Sequence, residues 1–242
     1  MFQDKNLNQR IENYWNERSK KFSEVRKIEL SGADFSAWQK IISENLPDKK
    51  NLKILDVGTG AGFFAILLSK LGNEVTGIDM SEKMLEEAKK ISADFNCSIN
   101  FLKMDAQILN FPDKTFDVVI SRNLTWTLPD AMEAYREWSR VLKIGGKILN
   151  FDSDCGKNNF VKKSDSKDVH ADISENLIQE CNAIKNSLKI TTHRRPKFDA
   201  DFLKSINFSV EVEEDISKKV HKDKNCLYDS IPLFAIYAEK IL

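Results

Sequence analysis

Residues 54–62 decide the fold. They read ILDVGTGAG, an apolar segment that runs directly into three glycines at alternate positions. A glycine turn directly after a strand lets backbone N–H groups approach a ligand, because no Cβ atom obstructs them. A second apolar segment at residues 74–78 ends at Asp79, where a carboxylate can accept hydrogen bonds from ribose hydroxyls. Together these features predict a site for a cofactor that contains a nucleoside.

Strands and helices alternate around this turn, which is typical of a doubly wound α/β sheet. The predicted strands lie at residues 53–57, 74–78, 98–103, 116–121 and 147–151, and two closing strands follow at 208–216 and 233–238. The helices between them are predicted at residues 62–71, 81–92 and 130–141. We therefore predict a Rossmann-like fold, a mostly parallel seven-stranded sheet with helices on both faces.

The chain is predicted to form one domain over residues 1–242. Residues 1–47 form a helical cover, because apolar residues recur there at spacings of three and four. Residues 52–152 form the cofactor-binding core. Residues 153–197 form an insertion after strand five, a lid that begins with a polar stretch and continues into a helix at 173–188. Residues 198–242 supply a closing helix and the last two strands.

Charge and composition limit the class of partner. The chain has 37 Lys and Arg against 37 Asp and Glu, so it lacks the net positive charge that is typical of nucleic-acid-binding proteins. The four cysteines form no CxxC pair, which argues against a zinc site and suits a reducing compartment. The apolar runs are too short for a membrane span, and no signal-peptide-like run begins the sequence. We expect a cytoplasmic enzyme without a metal ion that does not act on nucleic acid or at a membrane.

Two residues of the turn argue against a dinucleotide. The fingerprint GxGxxG requires a third glycine at position 63, where this chain has Phe63. Asp56 precedes the turn and would repel a pyrophosphate, whereas it suits a ligand that carries an ammonium group. A nicotinamide oxidoreductase is therefore disfavoured.

Five short motifs lie at the ends of the predicted strands or within them. They are DVGTGAG at residues 56–62, GIDMS at 77–81, MDA at 104–106, FDVVIS at 116–121 and LKIGGK at 142–147. On these residues the chain resembles the class I S-adenosylmethionine-dependent methyltransferases, over about residues 52–152. The continuation RNL at residues 122–124 is similar to the small-molecule branch that includes the ubiquinone and menaquinone biosynthesis enzymes.

This resemblance implies S-adenosylmethionine as cofactor, S-adenosylhomocysteine as product, and a set of residues that bind them. That set is Asp56, Gly58, Thr59, Gly60, Asp79, Met80, Asp105, Ala106 and Arg122. The glycine turn and its aspartate would surround the methionine part, and Asp79 the ribose. Met80, Asp105 and Ala106 would contact the adenine, while Arg122 would offer its backbone to the amino acid end. Met80 as a core residue and Asp105 as a helix cap are the alternatives.

The acceptor is expected between the N-terminal helix, the turn after strand four and the insertion. Tyr14 and His170 are the candidate catalytic residues, since imidazole is suited to acid–base work. Arg18 interrupts an apolar helical stripe and is a candidate for an acidic group of the substrate or cofactor. Trp126 is a candidate pocket wall. The alternatives are a snorkelling arginine, a core tryptophan and a solvated histidine.

Three further basic residues complete the candidates. Arg194 and Arg195 are predicted to bind a carboxylate or phosphate of the acceptor, with a surface pair as the alternative. His221 lies in a lysine-rich run and is interpreted as part of a solvated loop. The predicted function is methyl transfer to a small-molecule acceptor. A methyltransferase of protein or RNA, or a non-catalytic S-adenosylmethionine-binding module, are the alternatives.

Overall fold

One sheet organises the molecule in the computed structural model, which describes residues 5–163, 165, 168–171, 173–223, 226–228 and 230–242. Its strands are β1 (Lys53–Val57), β2 (Glu74–Asp79), β3 (Asn100–Lys103), β4 (Phe116–Arg122), β5 (Leu142–Ser153), β6 (Phe208–Glu213) and β7 (Leu233–Lys240). Within the described ranges these seven strands lie in the order β3-β2-β1-β4-β5-β7-β6. Of these strands, β7 runs in the direction opposite to the other six and pairs antiparallel with β5 and β6, so the predicted fold class is confirmed.

Helices cover both faces of the sheet. They are α1 (Lys5–Ser31), α2 (Ala33–Asn45), α3 (Phe63–Lys70), α4 (Glu82–Asp94), α5 (Ala131–Val141), α6 (Glu175–Ser187), α7 (Lys197–Ser205) and α8 (Ser217–Val220). One hydrophobic core contains side chains of α2, α3, α4 and α8, and the other contains side chains of α5, α6 and α7. Helix α1 contributes to both cores, which places it across the edge of the sheet. None of the described helices combines the length and the apolar character that crossing a membrane requires.

Burial explains why the central strands are so apolar. A parallel strand with helices on both faces has no solvent side, and β4 is accordingly buried at every residue except its last. Helix α4 begins where the sequence indicates, because the Ser81 hydroxyl accepts a hydrogen bond from the Met84 N–H at 3.1 Å.

Two strand boundaries differ from those predicted. Strand β5 begins at Leu142, directly after α5, whereas the prediction placed its start at residue 147 after the glycine pair. A register irregularity opposite Phe116 and Val118, with Gly145 at φ +73°, accommodates the extra residues. Strand β6 ends at Glu213, three residues before the predicted end. In the predicted insertion, residues 164, 166, 167 and 172 lie outside the described residues.

Helix α1 is held over the carboxyl ends of β1 to β3 by polar contacts with the neighbouring elements. The Asn16 side-chain oxygen accepts hydrogen bonds from the Ser81 hydroxyl at 2.7 Å and from the Lys83 N–H at 3.3 Å. The Ser23 hydroxyl donates to Glu87 of α4 at 3.1 Å. Since ligands bind at this edge of parallel sheets, α1 covers the place where a site is expected.

A buried group of ion pairs joins α7 to strand β5. The Arg195 guanidinium donates two hydrogen bonds of 2.8 Å to Asp199 and lies 3.3 Å from Asp152 of β5. The Tyr135 hydroxyl of α5 donates to the same aspartate at 2.7 Å. All four side chains are buried, so each charge depends on the others for solvation.

Replacing Arg195 with methionine should therefore destabilise the protein strongly. Arg195→Met leaves Asp199 and Asp152 buried without a counterion, and we expect the free energy of unfolding in urea to fall by about 3–5 kcal/mol. The control is Lys197→Met at the start of α7, because Lys197 pairs with Asp201 at the surface. It should change stability by less than about 1 kcal/mol. Equal effects of the two substitutions would contradict the assigned burial.

Candidate functional site

The glycine turn adopts a backbone that other residues avoid. Gly58, Gly60 and Gly62 have φ angles of +66°, +52° and +86°. A Cβ atom on Gly58 would lie 2.7 Å from the Leu124 side chain, and one on Gly60 would lie 3.2 Å from Phe22. Both conformation and space therefore require glycine at these positions.

Two carboxylates hold the turn in shape. Asp56 accepts hydrogen bonds from the Thr59 hydroxyl at 2.6 Å and from the Ala65 N–H at 3.0 Å. Asp79 accepts from the Gly60 N–H at 2.9 Å with one oxygen and from the Ser81 N–H at 2.8 Å with the other. Burial raises the pKa of Asp56 to about 7 and that of Asp79 to about 6, against these stabilising hydrogen bonds.

A cavity of about 220 Å³ lies between this turn and α1. All nine residues predicted to bind the cofactor line it, so the structure brings them together. They extend along the carboxyl ends of the strands, from the turn after β1, past the end of β2, to the loop after β3. Asp56, however, is only 2 % exposed, and the hydrogen bonds to Thr59 and Ala65 occupy one of its oxygens. Its principal visible role is to shape the turn.

The residues after β3 form a turn that also lines this cavity. One oxygen of Asp105 accepts from both the backbone N–H and the side-chain amide of Gln107, each at 2.9 Å. The Gln107 side-chain oxygen in turn accepts from the Asp130 N–H at 2.8 Å, at the start of α5. Asp105 therefore organises a turn and does not cap a helix. Met80 packs against the core, as the alternative for it proposed, and it also lines the cavity.

Arg122 contributes more than the backbone expected of it. Its guanidinium donates two hydrogen bonds to Glu29, at 2.8 and 3.1 Å, and lies over the rings of Trp38 and Phe63 at 4.8 and 5.2 Å. A buried cation needs a counterion, and a guanidinium gains further from aromatic faces. Arg122 thus connects the end of β4 to α1 while it lines the cavity.

Four of the residues predicted for the acceptor line the same cavity: Tyr14, Arg18, Trp126 and His170. A terminal nitrogen of Arg18 lies 3.4 Å from the His170 Nδ1, and the Trp126 and Phe160 rings lie 5.6 Å apart. Burial raises the pKa of Tyr14 well above its ordinary value. Its phenol is therefore protonated at neutral pH, which suits a hydrogen-bond donor and not a base.

Arg194 and Arg195 do not line this cavity. The Arg194 side chain is exposed, and Arg195 is enclosed in the ion pairs with Asp199 and Asp152 described above. The expectation that both bind the acceptor is therefore not met. Arg195 is needed to neutralise two buried carboxylates, so it is unavailable to a ligand.

A buried carboxylate that the sequence did not indicate lies behind three residues that line the cavity, Arg26, Arg122 and Tyr228. Glu29 of α1 is fully buried and accepts hydrogen bonds from Arg26 and Arg122. The Tyr228 hydroxyl lies 2.8 Å from Glu29 and 2.6 Å from Asp34 of α2. Against the upward effect of burial, Arg122 and Arg26 lower the pKa of Glu29 to about 2, so it stays ionised.

His221 also lines this cavity, contrary to the expectation of a solvated loop. Its ring stacks on Tyr228 with the centroids 3.7 Å apart. Burial and the nearby Arg122 lower its pKa to about 4, so the imidazole is neutral at neutral pH. The segment reaches this position because Asp34 accepts hydrogen bonds from the N–H groups of Lys222 and Asp223. No local pattern in the sequence indicates so distant a contact.

In the described part of the chain, the His, Cys, Asp and Glu side chains form no cluster of three that could hold a metal ion.

Comparison with known proteins gives a match in the region of the glycine turn. Residues 55–150 match the family model described as a methyltransferase domain. A demethylmenaquinone methyltransferase of Staphylococcus aureus is 37% identical over 134 residues, which cover 54% of this chain and 55% of that protein. The chain thus aligns with about half the length of the curated relatives that it matches.

Solved structures with low sequence identity share the fold. A SAM-dependent methyltransferase from Aquifex aeolicus is 20% identical, with a TM-score of 0.58 over 90% of this chain and 97% of that one. Phosphoethanolamine N-methyltransferase 1 of Haemonchus contortus, solved with phosphoethanolamine and S-adenosylhomocysteine, is 17% identical. Its TM-score is 0.70 over 99% of this chain and 50% of that one. At these identities the likeness concerns the fold.

The raised pKa of Asp79 predicts a pH dependence of stability. Because the folded pKa of about 6 exceeds the unfolded value of 3.8, the folded state binds the extra proton and gains stability as the pH falls through 6. Between pH 7.5 and 5, the wild type should gain about 1 kcal/mol relative to Asp79→Asn in urea unfolding. Parallel pH profiles for the two proteins would contradict the assigned environment of Asp79.

Proposed function

We propose that this chain, whose residues 55–150 match the methyltransferase-domain model, is a class I S-adenosylmethionine-dependent methyltransferase that moves a methyl group onto a small-molecule acceptor. The observation that carries the proposal is the assembly of the predicted cofactor residues around one cavity beneath α1. Asp79 is central to it, because the same carboxylate shapes the glycine turn and faces the cavity.

The residues present fit S-adenosylmethionine. Burial has raised the pKa of Asp79, which means that its carboxylate has fewer donors around it than it would have in water. Two ribose hydroxyls would supply such donors. The backbone of Gly58 and Gly60 is open to the methionine part, and Asp105 with Ala106 borders the place proposed for the adenine.

The chain's own groups support an in-line displacement. When bound, S-adenosylmethionine supplies a methyl group on a positively charged sulfur, which an acceptor atom can attack from the opposite side. Such a reaction depends mainly on alignment and on exclusion of water. Aromatic side chains that line the cavity serve both purposes: Tyr14, Trp15, Phe22, Trp126 and Phe160.

A small acceptor is favoured by what covers the cavity. Helix α1 lies over it, Phe160 and His170 line it from the predicted insertion, and His221 and Tyr228 line it from the segment before β7. The Staphylococcus aureus relative is named for demethylmenaquinone, a molecule with a flat ring system. The aromatic lining here suits a flat acceptor of that kind. We propose that Tyr14 donates a hydrogen bond to the acceptor and that His170 accepts a proton where the acceptor loses one.

Removing the Asp79 carboxylate should weaken cofactor binding. We expect Asp79→Ala to bind S-adenosylhomocysteine at least tenfold more weakly by titration calorimetry, because a charge-assisted contact contributes about 1.5–3 kcal/mol. Asp94→Ala is the control, since Asp94 lies at the surface end of α4 and pairs with Lys27. It should leave the affinity unchanged.

Two results would overturn the assignment of the cofactor. One is an unchanged affinity of a folded Asp79→Ala protein for S-adenosylhomocysteine. The other is wild-type binding of NADH without binding of either adenosyl compound.

Turnover distinguishes a small-molecule acceptor from the alternatives. Release of S-adenosylhomocysteine should be detectable with flat-ring phenols or quinols, tested both without and with a carboxylate or phosphate substituent, and not with proteins or RNA. Turnover with protein or RNA alone would replace the proposed acceptor class. Cofactor binding without turnover on any acceptor would favour a binding module.

A further inference from the structure

Three of the buried arginines in the described part of the chain have carboxylate partners. Arg26 and Arg122 share Glu29, and Arg195 pairs with Asp199 and Asp152. Each of these guanidinium groups is at least nine-tenths buried, and each forms an ion pair with a carboxylate within the protein. This is the ordinary way in which a fold tolerates a buried cation.

Arg18 differs from the other three. It is 5 % exposed, yet no described carboxylate lies within ion-pair distance of it. Its neighbours are the Tyr14 phenol, the Cys181 thiol and the His170 ring, the last at 3.4 Å. Burial raises the pKa of both Tyr14 and Cys181, so neither carries a negative charge at neutral pH.

The Arg18 Nε is also buried without a hydrogen-bond partner among the described residues. A buried cation without a counterion is costly, as is a buried donor without an acceptor. Since Arg18 lines the cavity, a ligand with a negatively charged oxygen would remove both costs. The lining residues beside it do not provide one.

The position of Arg18 assigns it to the acceptor side of the cavity. One turn further along α1, Phe22 lies over Gly60 of the cofactor turn. One turn further again, Arg26 is already paired with Glu29. Arg18 instead contacts His170, which belongs to the predicted insertion, and lies near Cys181 of α6. Both lie outside the motifs that build the cofactor site.

We propose that the methyl acceptor carries a carboxylate or phosphate group and that Arg18 binds it. The inference rests on the proposed function, because it presupposes a cofactor in the other part of the cavity. A neutral acceptor would leave the guanidinium unpaired in a site from which water has been displaced. Arg18 is therefore a specificity-determining residue that selects acidic acceptors over neutral ones of the same shape.

Stability of the ligand-free protein provides a test that needs no knowledge of the acceptor. Arg18→Met keeps the apolar stem and removes an uncompensated charge, so the melting temperature should stay equal to that of the wild type or rise. The control is Arg122→Met in the same cavity, which removes the two hydrogen bonds that the buried Glu29 accepts from Arg122. It should lower the melting temperature by several degrees. A similar drop for Arg18→Met would overturn the inference, because it would reveal an internal partner.

Selectivity is tested on protein saturated with S-adenosylhomocysteine. The probes are 2-naphthoate, 2-naphthyl phosphate and the neutral 2-naphthamide, which share one ring system. Wild-type protein should bind at least one of the two anions at least tenfold more tightly than the amide, measured by calorimetry. Arg18→Met should lose that preference, and Arg18→Lys should retain part of it. The preferred anion then decides between carboxylate and phosphate.

The other outcomes separate this inference from the proposed function. Equal binding of all three probes by the wild type, or an unchanged preference in Arg18→Met, would overturn the role of Arg18. A loss of tenfold or more in the affinity of Arg18→Met for S-adenosylhomocysteine would also overturn it, by assigning the arginine to the cofactor. Failure of the wild type to bind S-adenosylhomocysteine would instead overturn the proposed function.

Discussion

The hydrogen bond from the Gly60 N–H to the Asp79 carboxylate is the constraint on which the site depends. It joins the glycine turn after β1 to the end of β2, and the second Asp79 oxygen accepts from Ser81 where α4 begins. Asp56 completes the arrangement by binding Thr59 and the first turn of α3. Two adjacent strands and two helix starts are thus held by two carboxylates. Burial raises the pKa of both, so the geometry of the site is maintained at an electrostatic cost.

Helix α1 converts this exposed strand edge into a cavity. Arg18, Phe22 and Arg26 follow one another at intervals of one turn on the face that lines it. The two arginines differ in their partners. Arg26 forms an ion pair with Glu29, whereas no described carboxylate lies within ion-pair distance of Arg18. On this face of α1, Arg26 is therefore paired within the protein, whereas Arg18 is the residue for which we propose an anionic ligand. The part of the cavity that we propose for the cofactor is instead built from backbone and carboxylates.

Local patterns were sufficient to predict the sheet and a set of residues that line one cavity at its edge. A buried parallel strand is apolar, and a backbone with positive φ favours glycine. Strands β1 and β2 and the turn at residues 58–62 could therefore be predicted from the sequence. The ion-pair partners of the buried arginines could not be predicted in this way. Arg122 meets Glu29, and Arg195 meets Asp152, across long stretches of chain that only the folded topology brings together. The prediction of a solvated loop at His221 was wrong for the same reason. The lysine-rich sequence around it does not indicate that its ring stacks on Tyr228.

We propose that the cavity beneath α1 holds an adenosyl cofactor by way of Asp79. A crystal structure of the protein grown with S-adenosylhomocysteine would reveal the ligand's position. We expect the ribose hydroxyls within hydrogen-bond distance of the Asp79 carboxylate and the adenine beside Asp105 and Ala106. We also expect the homocysteine end at Gly58 and Gly60. Density for the ligand elsewhere, or a ribose turned away from Asp79, would contradict this proposal.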